Sequence, residues 1–194
     1  MSDIIEEFLP SDCYSEHDYK SIDGIVIHFI SAKNILPHDP FNTDAIFNIF
    51  KQYKVSANYL IKRDGTIIKL TPDHHKAWHA GKSIMNGRED CNDFTIGIEL
   101  EGGTNWPFED EQILNLGMLC GQLMTKNNIT LDWVQGHDHI RENWLKKYPN
   151  WNREHPDKPI SKKVDPGEHF PWEVLSDMLY GVSEGVCRGV SNND

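Results

Sequence analysis

Residues 94–103 restrict the fold more than any other stretch, because apolar side chains alternate strictly along them with glycine and acidic residues. One set comprises Ile96, Ile98 and Leu100, and the other comprises Gly97, Glu99 and Glu101. A period of two predicts a β-strand whose two sets of side chains point to opposite faces of a sheet. Two carboxylates in an apolar strand cost free energy unless they contact a cation, a proton or a water molecule. We therefore expect the fold to bring a metal ion to Glu99.

The length and composition are those of one ordinary globular domain. The chain has 194 residues, of which 38% are hydrophobic and 10% are aromatic. It is therefore long enough to bury a core and too apolar to remain disordered. We expect the domain to span residues 21–180. Residues 1–20 are expected to form a polar surface strap, and residues 181–194, which are rich in Gly and Ser, a loose tail.

Charge and hydropathy argue against two classes of partner. The formal net charge is −11, whereas nucleic-acid binding requires a basic surface, so we expect no nucleic-acid partner. No run of about 18 apolar residues is present, so we expect no membrane span and no membrane partner.

The cysteines and the first residues indicate the compartment. The four cysteines are widely spaced and form no CxxC motif, so we predict neither a disulfide framework nor a zinc knuckle. The first seven residues include three acidic ones and lack the apolar segment of a secretory signal. We expect a cytoplasmic monomer with reduced thiols.

Hydrophobic patterning predicts a series of strands and helices. Strands are predicted at residues 24–30, 55–61, 66–70, 94–103 and 131–137. Helices are predicted at residues 45–53, with Asp44 as the N-cap, and at residues 107–127, with a short one opening at residue 170. Asp64-Gly65 predicts a tight hairpin turn between the second and third strands. Residues 72–87 are expected to be a loop, and residues 141–160 an irregular excursion.

Three possible metal ligands lie near predicted strand ends, namely His28, His137 and Asp165. Two imidazoles and one carboxylate are a sufficient set for a catalytic zinc ion that keeps a fourth position open for water. Spacing alone does not establish this triplet, because the chain has 10 histidines. His137 and His139 are an alternative pair on one strand face, and a lone histidine in a core strand is more often a hydrogen-bonded core residue.

Trp78 and His79 adjoin within the predicted loop at residues 72–87. An aromatic residue beside a histidine in such a loop suits the wall of a cleft, and it suits simple surface packing equally well. Taken alone, the pair decides neither.

Five blocks, in order, resemble the zinc-dependent N-acetylmuramoyl-L-alanine amidases. This family includes cytoplasmic amidases, phage endolysins and peptidoglycan recognition proteins. The blocks are residues 25–28, 55–65, 77–81 and 92–102, and then Gly136-His137 with Asp165-Pro166-Gly167. Each block is weak alone, but five in order are highly specific and span nearly the whole chain.

The resemblance implies a single α/β domain in which a central mixed β-sheet is flanked by α-helices, with a zinc site at one end of the sheet. It places one Zn²⁺ per chain on His28, His137 and Asp165. It makes Glu99 the catalytic acid/base and Lys163 the group that stabilises the transition state. We assign Asn58, Trp78 and His79 to the substrate-binding wall; Asn58 stands where relatives often have histidine.

Alternation along the chain agrees in part with these roles. If residues 163–165 are extended, Lys163 and Asp165 face the same way and Lys162 does not. Glu101 shares a face with Glu99 but lies about 6–7 Å further along the strand. We therefore expect Glu101 to be structural and to pair with a basic side chain.

The resemblance leaves the substrate and setting open. The expected substrate is peptidoglycan or a muropeptide, and the alternative function is a recognition module that binds without cleaving. Lack of a signal segment fits cytoplasmic recycling of anhydro-muropeptides. It also fits a phage endolysin released to the wall through a holin, or an effector delivered by another route. Asp90 stands where a basic residue is expected, which argues against the anhydro form. Trp144, Tyr148 and Trp151 could wall substrate subsites, but we favour packing.

Overall fold

The structure is a computed structural model that describes residues 4–190 and the side chains of residues 4–185. A six-stranded sheet lies between two layers of helices, as predicted. The strands are β1 (Ile5–Glu6), β2 (Tyr14–Asp18), β3 (Gly24–Ile30), β4 (Tyr59–Ile61), β5 (Ile67–Lys69), β6 (His75–Ala77), β7 (Ile84–Met85), β8 (Arg88–Glu89), β9 (Thr95–Glu101) and β10 (Val134–Gly136). The helices are α1 (Thr43–Tyr53), α2 (Asp110–Asn127), α3 (His137–Lys147), α4 (Trp151–Glu154) and α5 (Trp172–Val190).

The main sheet is mixed and has the strand order β1-β5-β4-β9-β3-β10. Strands β4, β9, β3 and β10 are parallel to one another, whereas β5 runs antiparallel to β4 in the predicted hairpin. Two small antiparallel ribbons, β2–β6 and β7–β8, lie outside this sheet. Parallel strands end at the same edge of a sheet, where ligands bind in many α/β proteins. The last residues of β3, β9 and β10 therefore lie close together.

The alternation along β9 places its side chains on two opposite faces of the sheet, as the sequence predicts, and a hydrophobic core lies on each side. Ile96, Ile98 and Leu100 pack with the apolar sides of α2 and α5. On the other face of the sheet, Leu60 of β4 packs with the buried residues of α1. Because register neighbours in parallel strands share a face, His28 of β3 lies beside Glu99 of β9 on this second face.

Glu101 is structural, as expected, but its partner is not a basic side chain. Its carboxylate accepts hydrogen bonds from the backbone N–H of Arg63 at 2.9 Å and from the Thr43 hydroxyl at 3.4 Å. The Arg63 guanidinium binds Glu109 and donates to the backbone carbonyl oxygens of Pro107 and Glu101, but not to the Glu101 carboxylate. Glu101 thus joins β9 to the turn after β4 and to the start of α1.

Several element boundaries differ from the predictions. Residues 55–58 are not strand, because Ser56 and Asn58 donate their backbone N–H groups to Trp78 and Gly97 outside any strand pairing. The predicted N-terminal strap is partly regular, since it contains β1 and β2, and the loop at residues 72–87 contains β6 and β7.

The segment expected to be irregular, residues 141–160, contains most of α3 and all of α4. Ile140 and Trp144 are both buried, and their spacing of four residues is helical. His137 begins this helix and does not end a strand.

The expected loose tail is wrong as far as Val190, because α5 continues to that residue. Leu175, Leu179 and Val182 recur on one helical face and pack into the core beside α2, so the helix continues past Gly181. Residues 191–194 of the predicted tail lie outside the described part of the chain. Within residues 4–190, no helix has the length and hydropathy needed to cross a membrane.

Candidate metal centre and active site

Three side chains meet at the carboxyl edge of the parallel strands. His28 lies near the end of β3, His137 follows β10 directly, and Asp165 lies in the segment before α5. Nδ1 of His28, Nδ1 of His137 and Oδ2 of Asp165 are each 3.0 Å from the other two. All three residues are buried. The structure therefore brings together the three predicted ligands, and His139 is not among them.

The start of α3 holds Asp165 in place. The backbone N–H of Asp138 donates to the carbonyl oxygen of Asp165 at 2.9 Å. A Cβ atom at residue 136 would lie 2.7 Å from Cδ of Pro166. Glycine at position 136 therefore lets the Asp165–Pro166 segment approach the helix closely enough to align its carboxylate.

Backbone carbonyls determine which nitrogen of each imidazole faces the cluster. Nε2 of His137 lies 3.2 Å from the carbonyl oxygen of Ala80, and Nε2 of His79 lies 3.3 Å from that of Thr95. A carbonyl only accepts, so both nitrogens carry protons in this hydrogen-bond network. Nδ1 of His79 is then an acceptor, and Nε2 of His28 donates to it at 3.0 Å.

In the neutral form of each imidazole, these assignments leave a lone pair on Nδ1 of His28 and on Nδ1 of His137. Burial lowers the pKa of His137 to about 4, so this imidazole is neutral at pH 7. Two nitrogen acceptors and one carboxylate oxygen then face one another at 3.0 Å, which is unfavourable without a cation between them. Ligands of a tetrahedral zinc ion with bonds of about 2.0 Å lie about 3.3 Å apart. The donor set and its spacing thus fit a metal ion.

Glu99 lies beside this cluster and is the predicted acid/base. Its Oε2 atom is buried and has no hydrogen-bond partner among the described residues. Burial raises the pKa of Glu99 to about 7; the Asp165 charge adds to this, and His28 and Lys163 oppose it. An unpaired carboxylate with a pKa near neutrality can take up and release a proton at physiological pH.

A cleft of about 430 Å³ opens over the cluster, and its lining includes all three residues. Glu99 lines the cleft together with the exposed side chains of Lys162, Lys163 and Trp78. The predicted positions of Lys163 and Trp78 at the site therefore agree with the geometry.

Two residues expected to bind substrate have other contacts. Asn58 is buried and outside the cleft lining; its Oδ1 accepts from the Gly97 N–H at 2.9 Å, and its Nδ2 donates to Thr71 Oγ1 at 3.1 Å. These two contacts stabilise β9. His79 does line the cleft, and its Nδ1 accepts from Nε2 of His28, so it orients this candidate ligand.

Gly97 makes the position of His79 possible. A Cβ atom at residue 97 would lie 2.4 Å from Cγ of His79, so the imidazole packs directly on the bare strand backbone. Asn92 holds the same loop from the other side, since its Oδ1 accepts from the N–H groups of His79 at 3.1 Å and Ala80 at 2.8 Å. No role for Asn92 follows from the sequence, although it lies within a recognised block.

The aromatic residues after His137 pack against one another, as favoured from the sequence. The rings of Trp144 and Tyr148 lie 4.7 Å apart, and those of Trp144 and Trp151 lie 4.9 Å apart. None of the three lines the cleft in the described part of the chain.

We predict that Gly97→Ala weakens metal binding. The new methyl group would displace the His79 ring and remove the acceptor for Nε2 of His28, and loss of such outer contacts typically costs about 10- to 100-fold in metal affinity. Competition for zinc against a chromophoric chelator measures the change in Kd.

Gly121→Ala is the matched control. A Cβ atom at residue 121 would lie 3.6 Å from its nearest neighbour, which is ordinary contact. We expect this variant to bind zinc as the wild type does. Equal affinity of the Gly97→Ala variant and the wild type would contradict the role given to His79.

Comparisons with known proteins agree with the site. The family model described as N-acetylmuramoyl-L-alanine amidase matches residues 18–168. The chain is 35% identical over 193 aligned residues to the 1,6-anhydro-N-acetylmuramyl-L-alanine amidase AmpD of Haemophilus influenzae, covering 87% of this chain and 93% of that protein. It is 30% identical over 179 residues to the N-acetylmuramoyl-L-alanine amidase AmiD of Escherichia coli, covering 84% of this chain and 55% of that protein.

Solved structures show the same fold. The crystal structure of a selenomethionine derivative of AmpD superposes with a TM-score of 0.67 at 28% identity, over 92% of this chain and 95% of that one. The complex of E. coli AmiD with anhydro-N-acetylmuramic acid-L-Ala-D-γ-Glu-L-Lys superposes with a TM-score of 0.61 at 28% identity. The superposition covers 84% of this chain and 60% of the AmiD chain. The predicted fold and the predicted enzyme class are confirmed. The chain belongs to the N-acetylmuramoyl-L-alanine amidase family.

Proposed function

We propose that this amidase is zinc-dependent and that its substrate is a soluble 1,6-anhydro-muropeptide. The observation that carries the chemistry is the buried, unpaired Oε2 of Glu99 beside three converging acceptors. The similarity to the H. influenzae protein supports the choice of substrate, because the alignment covers 93% of a protein named for that activity.

We propose that one zinc ion per chain binds to His28, His137 and Asp165. Bound there, zinc would lower the pKa of a water ligand toward neutrality and polarise a carbonyl group. The protein keeps the Nδ1 atoms of both imidazoles aimed inward through Thr95, His79 and Ala80.

Glu99 is proposed to transfer the protons of the reaction. In its ionised form it takes a proton from the attacking water, which adds to the carbonyl carbon between the lactyl group and L-alanine. It then donates that proton to the departing amine of L-alanine as the amide bond breaks. The cysteines take no part, and no covalent intermediate is required.

Lys163 is proposed to stabilise the negative charge that develops on the carbonyl oxygen. Its side chain lines the cleft, and its charge already lowers the pKa of Glu99. A fixed cation at the position of developing charge lowers the barrier more than it strengthens substrate binding.

Intact cell wall is the alternative substrate. The 28-residue separation of His137 and Asp165 adds a helical excursion beside the cleft, and Asp90 pairs with Lys82 at 3.6 Å where a basic residue was expected. The cytoplasmic location and the monomeric state remain predictions that accompany the recycling role.

A product assay tests the proposed function. Purified protein, with and without a chelator, is incubated separately with anhydro-muropeptide and with intact sacculi, and released peptides are identified by mass. We expect chelator-sensitive release of a peptide with a free L-alanine amine, faster from the anhydro-muropeptide. Faster release from sacculi would indicate a wall-degrading enzyme. Binding of muropeptide without any release would favour a recognition module.

Lys163→Met should lower kcat by about 10²- to 10³-fold while KM changes little, as expected for a group that acts on the transition state. Lys162→Met is the matched control, because Lys162 is the adjacent lysine and lines the same cleft. Steady-state kinetics on anhydro-muropeptide measure both variants. An equal loss of kcat in the two variants would show that Lys163 contributes only its general positive charge to the cleft.

Glu99→Gln should stabilise the metal-free protein at high pH. Burial raises the pKa of Glu99 to about 7 from 4.5, so the unfolded chain loses this proton first as the pH rises. Stability contributed by the protonated carboxyl is present below pH 4.5 and is lost as the pH rises to about 7. We expect the free energy of unfolding of the variant to exceed that of the wild type by up to about 3 kcal/mol at pH 8 and by little near pH 4.

Urea denaturation of both proteins in chelator measures this difference in the free energy of unfolding. The same difference at pH 4 and pH 8 would show that the carboxyl of Glu99 is not held in a desolvated environment.

A further inference from the structure

Arg141 is a buried cation that the proposed chemistry does not use. It lies four residues after His137 on α3, so the two side chains share one face of the helix. A buried guanidinium without an acidic partner is costly, and no ion pair within 4.0 Å joins Arg141 to an acidic group among the described residues. Burial lowers the pKa of Arg141, and the charge of Asp165 opposes this shift.

The guanidinium instead joins two backbone carbonyls. Nη1 donates to the carbonyl oxygen of Ser161 at 3.0 Å, and Nη2 donates to that of Ala80 at 3.3 Å. Its Nε is buried and has no partner in the described part of the chain. Space for this arrangement comes from Gly81, where a Cβ atom would lie 3.0 Å from Nη2.

Each of these carbonyls belongs to a different part of the site. The Ala80 oxygen is the same atom that accepts from Nε2 of the ligand His137 at 3.2 Å. Ser161 precedes Lys163 by two residues and the ligand Asp165 by four. Arg141 therefore holds both the acceptor that orients one ligand and the segment that carries another ligand.

We propose that Arg141 is a positioning residue for the metal centre, which sets the orientation of His137 and the place of residues 161–165 relative to it. The inference rests on the proposed zinc site. A carbonyl oxygen has two lone pairs, so Ala80 serves the imidazole and the guanidinium together. A planar fork of donors can join two carbonyls in a fixed geometry, whereas a lysine ammonium on a flexible stem cannot.

The length of the chain between the ligands explains why such a residue is useful. The connection from His137 to Asp165 passes through α3 and α4 before it returns to the cleft. Its return is tied to the first turns of α3 by Arg141 at Ser161 and by the Asp138 N–H at Asp165. Loss of the first tie frees the residues that lead into Lys163 and Asp165.

The test compares Arg141→Met and Arg141→Lys with the control Arg153→Met, an exposed arginine on α4 of the same excursion. Zinc Kd is measured by chelator competition, and the ligand geometry by the visible absorption of the Co²⁺-substituted protein. We expect both Arg141 variants to bind zinc about 10- to 100-fold more weakly and to give an altered Co²⁺ spectrum, while Arg153→Met matches the wild type.

Chemical rescue separates positioning from folding. Added methylguanidinium should restore the Co²⁺ spectrum of an Arg141→Ala variant, and it should leave the Arg153→Met protein unchanged. If Arg141→Met does not fold, Arg141→Lys and the rescue experiment still give the answer. The proposal would be overturned if a folded Arg141 variant had the zinc affinity and the Co²⁺ spectrum of the wild type. It would be overturned equally if such a variant lost thermal stability while its zinc affinity and Co²⁺ spectrum stayed unchanged.

These readouts separate the inference from the proposed function. If zinc binding depends on Arg141 but the wild type releases no peptide, the amidase mechanism is contradicted and the inference about Arg141 stands. Peptide release by the wild type together with unchanged zinc binding in the Arg141 variants would contradict the inference alone.

Discussion

Three buried acceptor atoms face one another at 3.0 Å, and the rest of the site depends on this arrangement. Parallel strands β3 and β10 bring His28 and His137 to one edge of the sheet, and α3 holds Asp165 beside them. The acceptors repel one another unless a cation lies among them. Because the unfolded chain lacks this arrangement, the free energy of metal binding would add directly to the stability of the fold.

On the side away from the cluster, backbone carbonyls orient both imidazoles. The carbonyl of Thr95 acts on His28 through His79, and the carbonyl of Ala80 acts on His137 directly. The orientation of the imidazoles therefore depends on the backbone of the loop after β6 and of β9. Gly97 illustrates the compromise, because glycine weakens a strand interior but leaves room for an imidazole on its backbone.

Periodicity along β9 was sufficient to predict its strand and its two faces, whereas the acid/base role of Glu99 came from the family resemblance. Family resemblance supplied the ligands, which spacing alone left open. The roles of His79 and Arg141 could not be predicted, because residue type does not reveal which ring nitrogen faces a metal or which distant carbonyl a guanidinium reaches. Glycine-rich composition was misleading in α5, where an apolar stripe continues through Gly181 and outweighs the low helix propensity of glycine.

X-ray absorption at the zinc edge tests the central claim most directly. The metal-free protein would be loaded with zinc, its stoichiometry measured, and the ligands read from the extended fine structure. The account predicts one zinc ion per chain with nitrogen and oxygen neighbours at about 2.0–2.1 Å, including two imidazoles. Sulfur in the first coordination sphere, or no stoichiometric binding, would contradict the assignment of His28, His137 and Asp165.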